Sequence, residues 1–347
     1  LCYKKLSMSK KNSSVNLKNC FKDYEELSNI YSSFKKRLNS FKKKNFLIAV
    51  SGGPDSLALT ALAKAYSLKN NSKIYYVLVD HNIRKKSSHE AILVKSLLKK
   101  YQIELHVLRN KKIISKNIQS EARKVRYDLL TKFCKKKKIK SILTAHNLED
   151  QVETFFIRLS RGSGLKGLSS MKQIHKINGN ITLVRPLLDF KKKQLMKISK
   201  IVFGKYFKDP TNKNTKYLRT RIRNLKTLLE KSGINYDQIF RSINNLAISR
   251  DTLNHYFKEI YKDIIDKKKN KVFIDLLKFN KINQEMKLMI LMKVIKDFTN
   301  SYYTVRSNKI VSLINKIKKK THIKSTLGGC IILVEKKHII LEKENKN

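Results

Sequence analysis

The sequence lacks the features that mark disulfide-rich, zinc-binding, secreted and membrane-spanning proteins. Its four cysteines include no Cys-x-x-Cys pair, which argues against both a zinc site and a disulfide framework. It contains no run of about 18 apolar residues and does not open with a secretory signal pattern. These absences predict a protein of the reducing cytoplasm that has no membrane partner.

Acidic residues are scarce as well. The chain has 26 Asp and Glu residues against 78 Lys and Arg residues, a formal net charge of +52. A compact monomer would suffer self-repulsion from this excess unless a polyanion offsets it, so RNA, DNA or an anionic surface is considered as partner. Drift in an AT-rich coding sequence explains part of the excess but not its sign. The 347 residues, 41% of them hydrophobic, are enough for two domains with cores of their own.

From residue 46 onward, short apolar runs rich in β-branched residues alternate with helical patterns. This alternation is typical of βαβ units and predicts a parallel, Rossmann-like α/β sheet. The predicted strands are Phe46–Val50, Ile74–Val79, Glu104–Leu108, Ser141–Thr144 and Ile181–Pro186. The predicted helices between them are Leu57–Leu68, Ser88–Lys100, Ser120–Lys136 and Asp150–Leu159.

The alternation stops near residue 233. Helical patterns over Asp237–Ile264 and Gln284–Phe298 follow, and the chain closes on an expected hairpin, Cys330–Glu335 with His338–Glu342. We therefore expect a flexible basic tail over residues 1–22, an α/β domain over 23–233, and a smaller, mainly helical α+β domain over 234–347.

The segment Ser51-Gly52-Gly53-Pro54-Asp55-Ser56 lies between the first predicted strand and helix. Its glycines let the backbone approach a ligand, and the helix N-terminus directs N–H groups and a positive dipole at it. Ser51 and Ser56 add hydroxyl donors, and the Asp55 carboxylate suits a magnesium ion held against phosphates. The Gly-Lys-Ser/Thr of a Walker A loop is absent. An ordinary Gly-Gly-Pro turn capped by Asp or Ser is the alternative.

The SGGPDS segment resembles the pyrophosphate-binding loop of the PP-loop ATP pyrophosphatases. Further strings follow it in order, and together they resemble the signature set of the tRNA(Ile)-lysidine synthetase family over about Phe46–Arg223. Residues Thr326–Gly329 resemble the family pattern more weakly. The strings are Asp80–Arg84, Ser88–Ala91, Glu121–Tyr127, Thr144–Thr154, Arg161–Leu168, Arg185–Leu188, Asp209–Asn212 and Arg219–Arg223.

The resemblance implies an adenine nucleotide alpha hydrolase fold and an ATP-dependent ligase. In this family ATP adenylates the C2 oxygen of the wobble cytidine in the CAU anticodon of tRNA(Ile), and pyrophosphate is released. Free L-lysine then attacks C2 and AMP leaves. The implied cofactors are ATP and Mg²⁺, and a homodimer is compatible with the sequence, which leaves the oligomeric state open. The chain stops before a further C-terminal domain of longer relatives, so its contact with the acceptor stem also stays open.

Site residues follow from the resemblance and from spacing. We expect ATP to contact Ser51–Ser56. Asp150 and Glu153 lie one helical turn apart and could hold magnesium or the lysine ammonium, although Asp150 could equally cap its helix. The expected catalytic residues are Asp55, His81, Asp150, Glu153 and Arg219, with Asp55 and Asp150 on the metal. The expected tRNA-binding residues are Arg123, Arg126, Arg219, Arg221 and Arg223.

Several interpretations remain open for these side chains. Arg123 and Arg126 could form structural salt bridges, and His81 with Arg84 could lie on the surface near a helix cap. The glycines of Arg161–Leu168 are expected to form a mobile loop that closes on substrate. A tRNA thiolase is the alternative function, although it would need sulfur-handling cysteines. A basic RNA-binding protein with an inactive loop, and a synthetase for a small molecule, are weaker alternatives.

Overall fold

The computed structural model describes residues 21, 24–41, 45–83, 87–111, 114, 117–177, 180–207, 214–299, 305–319 and 322–344. The chain divides into two compact units, Leu1–Leu246 and Ala247–Asn347, and each is described by itself. Most of the expected basic tail lies outside the described residues, and the domain division at residues 22 and 233 stays a prediction.

The first unit is built on a six-stranded sheet in the order β3-β2-β1-β4-β6-β5. Five strands run parallel, as predicted, and β5 joins the edge antiparallel to β6. The short edge strand β5 was not predicted because its side chains are mostly exposed and carry no apolar run. The strands are β1 (Asn45–Val50), β2 (Lys73–Asp80), β3 (Leu105–Arg109), β4 (Ser141–Leu143), β5 (Ile174–Ile177) and β6 (Ile181–Val184).

Helices cover both faces of this sheet, which explains why β1 is buried along nearly its whole length. One face carries a large apolar core with Phe34, Leu62 and Ile198, and the other a smaller core with Leu130 and Cys134. The helices are α1 (Glu25–Asn39), α2 (Pro54–Lys69), α3 (Ser87–Lys99), α4 (Ile118–Lys136), α5 (Leu148–Leu159), α6 (Leu165–Leu168), α7 (Lys192–Phe203), α8 (Leu218–Asn224), α9 (Lys226–Lys231) and α10 (Tyr236–Ile264).

Helix α2 is the most deeply buried of these helices. Ten of its sixteen residues are buried, including the unbroken run Ser56–Ala63. A helix that is apolar on every side must be covered on every side, and α2 packs on β1, β2 and α7. The SGGPDS segment therefore leads into an element that is fixed from all directions.

The second unit is α+β. Its five-stranded antiparallel sheet runs in the order β7-β8-β11-β10-β9 and shares an apolar core with Phe279, Ile290 and Ile314. The predicted hairpin is confirmed as β10 paired with β11. The other three strands were not predicted because they are short and interrupted by Lys, Asp and Ser. The elements are β7 (Ile265–Lys267), β8 (Lys271–Asp275), α11 (Leu276–Lys281), α12 (Gln284–Thr299), α13 (Ser307–Lys319), β9 (Ile323–Leu327), β10 (Cys330–Val334) and β11 (His338–Lys343).

The pair Gly328-Gly329 forms the tight turn between β9 and β10. Both residues have positive φ, +63° and +81°, as a two-residue type I′ hairpin turn requires. A Cβ on Gly328 would lie 2.6 Å from a Val305 methyl carbon, so only glycine fits there. The weaker resemblance at Thr326–Gly329 therefore coincides with the end of β9 and the hairpin turn that follows it in the second unit.

None of the helices in the described part of the chain combines the length and apolarity needed to cross a membrane.

We predict that Leu341→Ala destabilises the second unit by about 2–5 kcal/mol, because Leu341 is fully buried on the central strand β11 and its removal leaves a cavity. Urea unfolding followed by circular dichroism measures the change. Leu277→Ala is the matched control, since Leu277 is 68% exposed and should shift stability by less than about 0.5 kcal/mol. Equal effects of the two substitutions would contradict this core.

Candidate active site

The SGGPDS segment is closed on itself by the Ser56 hydroxyl. Ser51 donates from its backbone N–H to Ser56 Oγ at 3.1 Å, and Ser56 Oγ donates to the Gly53 carbonyl at 3.0 Å. Ser56 is buried, so its hydroxyl holds the turn together rather than facing outward, whereas Ser51 is exposed. Gly53 is the N-cap of α2, and the first-turn N–H groups that follow it have no partner within the helix.

The turn is also fastened to Phe207, which follows α7. Gly52 has φ +79°, and a Cβ there would lie 2.6 Å from a Val94 methyl carbon and 3.3 Å from the Phe207 ring. The Phe207 N–H donates to the Gly52 carbonyl at 3.0 Å. In a trans peptide the C=O and the next N–H point in opposite directions. Phe207 therefore orients the Gly53 N–H away from itself.

Helix α5 carries the two predicted carboxylates and starts with a capping box. The Asn147 side chain accepts from the Asp150 N–H at 2.9 Å, and Asp150 Oδ2 accepts from the Asn147 N–H at 3.1 Å. The capping role considered for Asp150 is therefore real. Its other oxygen, Oδ1, accepts from an Arg219 NH2 group at 2.9 Å.

Glu153 lies between two arginines and is 2% exposed. Its Oε2 accepts from Arg219 Nε at 2.6 Å, and its Oε1 accepts from Arg223 Nε at 2.7 Å. The hydrogen bond that Arg223 donates to Glu153 raises the pKa of Arg223 above its usual range. Both oxygens of this carboxylate are thus engaged by guanidinium groups.

The three predicted arginines of α8 separate into two groups. Arg219 and Arg223 are four residues apart, lie on one face and contact α5, whereas Arg221 is exposed. The structure thus joins Arg219 and Arg223 to the predicted carboxylates. Their predicted contact with tRNA stays a prediction, and Arg221 is the member of the set that is open to solvent.

Asp55 lies beside this cluster. Burial, and then the negative charge of Asp150, raise the pKa of the Asp55 carboxyl to about 7. Its Oδ1 is buried and has no hydrogen-bond partner in the structure. A buried carboxylate oxygen without a donor, close to a second carboxylate, suits a cation better than it suits bulk solvent.

A divalent metal at this place would have few protein ligands. Among the described residues no group of three or more His, Cys, Asp or Glu side chains is arranged to hold a metal ion. Mg²⁺ is commonly bound through one or two carboxylates together with phosphates and waters. The pair Asp55 and Asp150 fits that pattern, with the phosphates supplied by a nucleotide.

His81 lies apart from the carboxylates and contacts Arg126. Arg126 donates to His81 Nε2 from Nε at 3.4 Å, and its NH2 group lies 3.3 Å from the same atom. Burial and the Arg126 charge lower the pKa of His81 to about 4, so the ring is neutral at physiological pH. Arg84, which we expected beside it, lies outside the described residues, as do Asp209 and Asn212.

His146 belongs to one of the ordered strings, but no role was assigned to it from the sequence. It follows β4, and its Nδ1 lies 2.9 Å from Thr144 Oγ1. Burial, and then the charges of Arg185, Arg123, Arg219 and Arg126, hold its pKa well below the usual range. Four arginines act on this ring because the order of the strands brings their segments together. That order cannot be derived from the string alone.

The end of the glycine segment Arg161–Leu168 is held against α5 by hydrogen bonds. Arg158 donates to the carbonyls of Gly167 at 2.7 Å and Ser170 at 2.9 Å. The Gln151 amide exchanges two hydrogen bonds with the Met171 backbone, at 2.9 and 2.8 Å. The last four residues of the segment form the short helix α6, whereas Gly162 and Gly164 lie exposed in the turn before it, and closure on substrate stays a prediction.

Comparison with known proteins places this site in a family. The PP-loop domain matches residues 26–229. The tRNA(Ile)-lysidine synthase of Wolbachia pipientis wMel is 33% identical over 312 residues, 88% of this chain and 72% of the relative. The tRNA(Ile)-lysidine synthase of Rickettsia typhi is 32% identical over 325 residues, 91% of this chain and 74% of the relative.

The chain belongs to the tRNA(Ile)-lysidine synthase family. The resemblance inferred from the ordered strings is thereby confirmed. Among solved structures, a U34-tRNA thiolase from Methanococcus maripaludis with a [4Fe-4S] cluster superposes with a TM-score of 0.54 at 19% identity, over 64% of this chain and 79% of the thiolase. At this identity the match shows a shared fold only. It confirms the nucleotide-binding α/β class for this lysidine synthase family member.

We predict that Glu153→Gln destabilises the first unit by ~2 kcal/mol. The change removes the charge between two guanidinium groups that are each about a third exposed, so the loss lies between those of surface and buried pairs. Chemical denaturation measures it. Glu121→Gln, on the exposed start of α4, is the control and should change stability by less than about 0.5 kcal/mol. An unaltered unfolding midpoint for Glu153→Gln would rule out the network as a stabilising element.

We also predict that Phe207→Pro weakens binding of a non-hydrolysable ATP analogue by roughly five- to tenfold. Proline has no N–H and so cannot hold the Gly52 carbonyl. Phe207→Ala keeps the N–H, and its affinity should remain closer to that of the unsubstituted protein. Isothermal titration calorimetry compares the two variants. If both lose affinity equally, the ring rather than the hydrogen bond supports the turn.

Proposed function

We propose that this protein ligates free L-lysine to C2 of the wobble cytidine in the CAU anticodon of tRNA(Ile). One observation carries the proposal. In a chain of the lysidine synthase family, the SGGPDS turn follows β1 and the helix with Asp150 and Glu153 follows the neighbouring strand β4, and Asp55 of the turn feels the charge of Asp150. Ligands of open α/β sheets bind outside the carboxyl ends of the strands.

The proposed reaction has two steps. The C2 oxygen of cytidine attacks the α-phosphorus of ATP and pyrophosphate leaves. The lysine amine then attacks C2, and the oxygen departs with AMP. Adenylation is needed because a carbonyl-like oxygen is a poor leaving group and a phosphate ester oxygen is a good one. The amine must be deprotonated when it attacks.

Ser51–Ser56 would contact the phosphates of ATP. The N–H groups at the start of α2 supply donors, and Phe207 supports the orientation of one of them. Asp55, with Asp150, would hold Mg²⁺, which supplies positive charge against the phosphates when bound.

Arg219 is the side chain of the cluster best suited to contact the reacting groups. It is 38% exposed, whereas Glu153 is almost fully buried. Glu153 and Asp150 would therefore position Arg219 rather than receive the lysine ammonium in their present arrangement. His81, neutral beside Arg126, would lie near the nucleotide rather than at this cluster.

The tRNA would be held by basic side chains. Arg221, Arg123 and Arg126 are exposed, and the net charge of +52 supports an RNA partner. Residues 247–347 form a separate α+β unit that would make further contacts with the tRNA. Lysine binding and Mg²⁺ are parts of the proposal that rest on the sequence resemblance, and a homodimer is compatible with the sequence.

A tRNA thiolase is the second candidate, and the two cysteines within the described part of the chain argue against it. Cys134 and Cys330 are both buried in apolar cores, where burial raises their pKa to about 12 and about 11. A thiol held protonated in a core cannot supply a sulfur-handling thiolate.

The test is an assay with tRNA(Ile) transcript, ATP and labelled lysine. We predict lysine incorporation that depends on ATP and is lost in Asp55→Asn together with pyrophosphate release. A transcript with the wobble cytidine changed to uridine is the matched control. Incorporation of sulfur in place of lysine, or full turnover by Asp55→Asn, would overturn the assignment.

The stability of Asp55→Asn separates loss of chemistry from loss of fold. A carboxyl with a raised pKa stabilises the folded state while protonated, and this contribution disappears as pH rises through ~7. Asparagine is neutral at every pH. Without Mg²⁺, the variant should therefore melt at a higher temperature than the parent near pH ~8, and the two proteins should melt at the same temperature near pH ~4. Melting curves at both pH values measure the difference.

A further inference from the structure

Arg185 is a buried arginine without a carboxylate partner. It follows β6, is 5% exposed, and donates from an NH1 group to the Lys172 carbonyl at 2.7 Å. Its Nε is buried and has no hydrogen-bond partner. Burying a guanidinium that no anion neutralises costs several kcal/mol. The fold therefore tolerates an unneutralised charge at this position.

Arg123 and Arg126 lie one helical turn apart on α4, and their charges act on the same His146 ring as the charge of Arg185 does. Burial, and then the Arg123 charge among nearby groups, lower the pKa of Arg185, and both α4 arginines also act on His146. Among the described residues, none of these three arginines forms an ion pair with a carboxylate. This distinguishes them from Arg219 and Arg223, which are neutralised by Glu153.

The surface members of the group are held in place by rings. The Arg123 guanidinium lies 5.1 Å from the centre of the Tyr127 ring, and Arg126 contacts the neutral His81. A guanidinium held flat against an aromatic ring loses less freedom when it binds a ligand. The arrangement is two exposed, oriented arginines in front of a buried third.

We propose that Arg123, Arg126 and Arg185 form a phosphate site, separate from the SGGPDS turn, that binds a phosphodiester of the substrate RNA. Arg123 and Arg126 contact the phosphate, and Arg185 raises the positive potential behind them. The inference rests on the proposed function in one respect only, which is that the RNA is a tRNA anticodon loop.

An RNA phosphate fits the site better than a phosphate of ATP. The SGGPDS turn and the start of α2 already offer donors to the nucleotide, and they follow β1, whereas Arg185 follows β6, two strands away. Arginine is suited to phosphodiesters because its fork binds two oxygens at once. The large positive charge of the chain also requires contacts with a polyanion.

The first experiment measures binding of an anticodon stem-loop RNA at several salt concentrations. Arg123→Gln should weaken binding about tenfold and reduce the salt slope by about one. Lys124→Gln is the matched control, because Lys124 is the exposed neighbour on α4 and has no part in the group. Affinity for a non-hydrolysable ATP analogue without RNA should be unchanged in both variants.

The second experiment identifies the phosphate. Stem-loops with a neutral methylphosphonate at one position at a time are titrated against the parent protein and Arg123→Gln. At the phosphate that Arg123 contacts, the loss of affinity caused by the methylphosphonate and the loss caused by Arg123→Gln should not add, because both changes remove the same interaction. Arg185→Gln, which removes the charge behind the phosphate, should weaken binding of the same RNA several-fold, whereas Arg185→Lys, which keeps that charge, should bind it nearly as tightly as the parent.

Full additivity at every phosphate, or a control variant that loses as much affinity as Arg123→Gln, would overturn the site. A loss of ATP affinity equal to the loss of RNA affinity would overturn its assignment to RNA. These binding measurements need no lysine and no turnover. Failure of lysine incorporation with Arg123-dependent RNA binding would therefore refute the proposed function and leave the phosphate site standing, and the reverse outcome would refute the site alone.

Discussion

The contact on which the site depends is the Glu153 carboxylate shared by Arg219 and Arg223. It is 2% exposed, and each of its oxygens accepts a hydrogen bond of 2.7 Å or less from a different guanidinium group. A buried carboxylate is tolerated only where partners neutralise it. Helix α8 must therefore stay against α5, and this contact fixes the place of Arg219 and, through Asp150, the electrostatic surroundings of Asp55.

Helix α5 distributes this constraint because each of its faces holds a different segment. Glu149 accepts from the Lys192 N–H at the start of α7 at 2.8 Å, so α7 is fixed to the same helix. Gln151 and Arg158 are seven residues apart, on one face, and hold residues 167–171. The polar side chains of the string from Thr144 to Thr154 therefore mostly hold neighbouring segments in place. Few of its polar side chains are left for a ligand, which is why the protein supplies so little of a metal site on its own.

The sequence predicted the parallel sheet, the position of the SGGPDS turn and the family, because each depends on local pattern. It also placed Asp150 and Glu153 on one face of a helix, since that follows from a spacing of three. It could not show that Arg219 and Arg223 neutralise them, because the partners are about 70 residues apart and the distance is set by packing. Phe207 was missed, and His146 was assigned no role, for the same reason. A backbone N–H has no sequence signature, and a histidine becomes informative only when its neighbours are known.

The two sides of the site differ in how their charge is balanced, and this suggests how they act. The carboxylates beside Arg219 and Arg223 are neutralised within the protein, so that part can be formed before any substrate arrives. Three of the arginines that act on His146, namely Arg123, Arg126 and Arg185, have no carboxylate partner among the described residues, and a bound anion would relieve their mutual repulsion. Binding of RNA would then stabilise the fold by an amount equal to its differential affinity for the folded state. On the proposed assignment, the carboxylate cluster would be a fixed nucleotide side of the site, and the unpaired arginines would be an RNA side whose stability depends on the substrate. The same imbalance accounts for a neutral His146, because a further positive charge among four arginines would be strongly unfavourable.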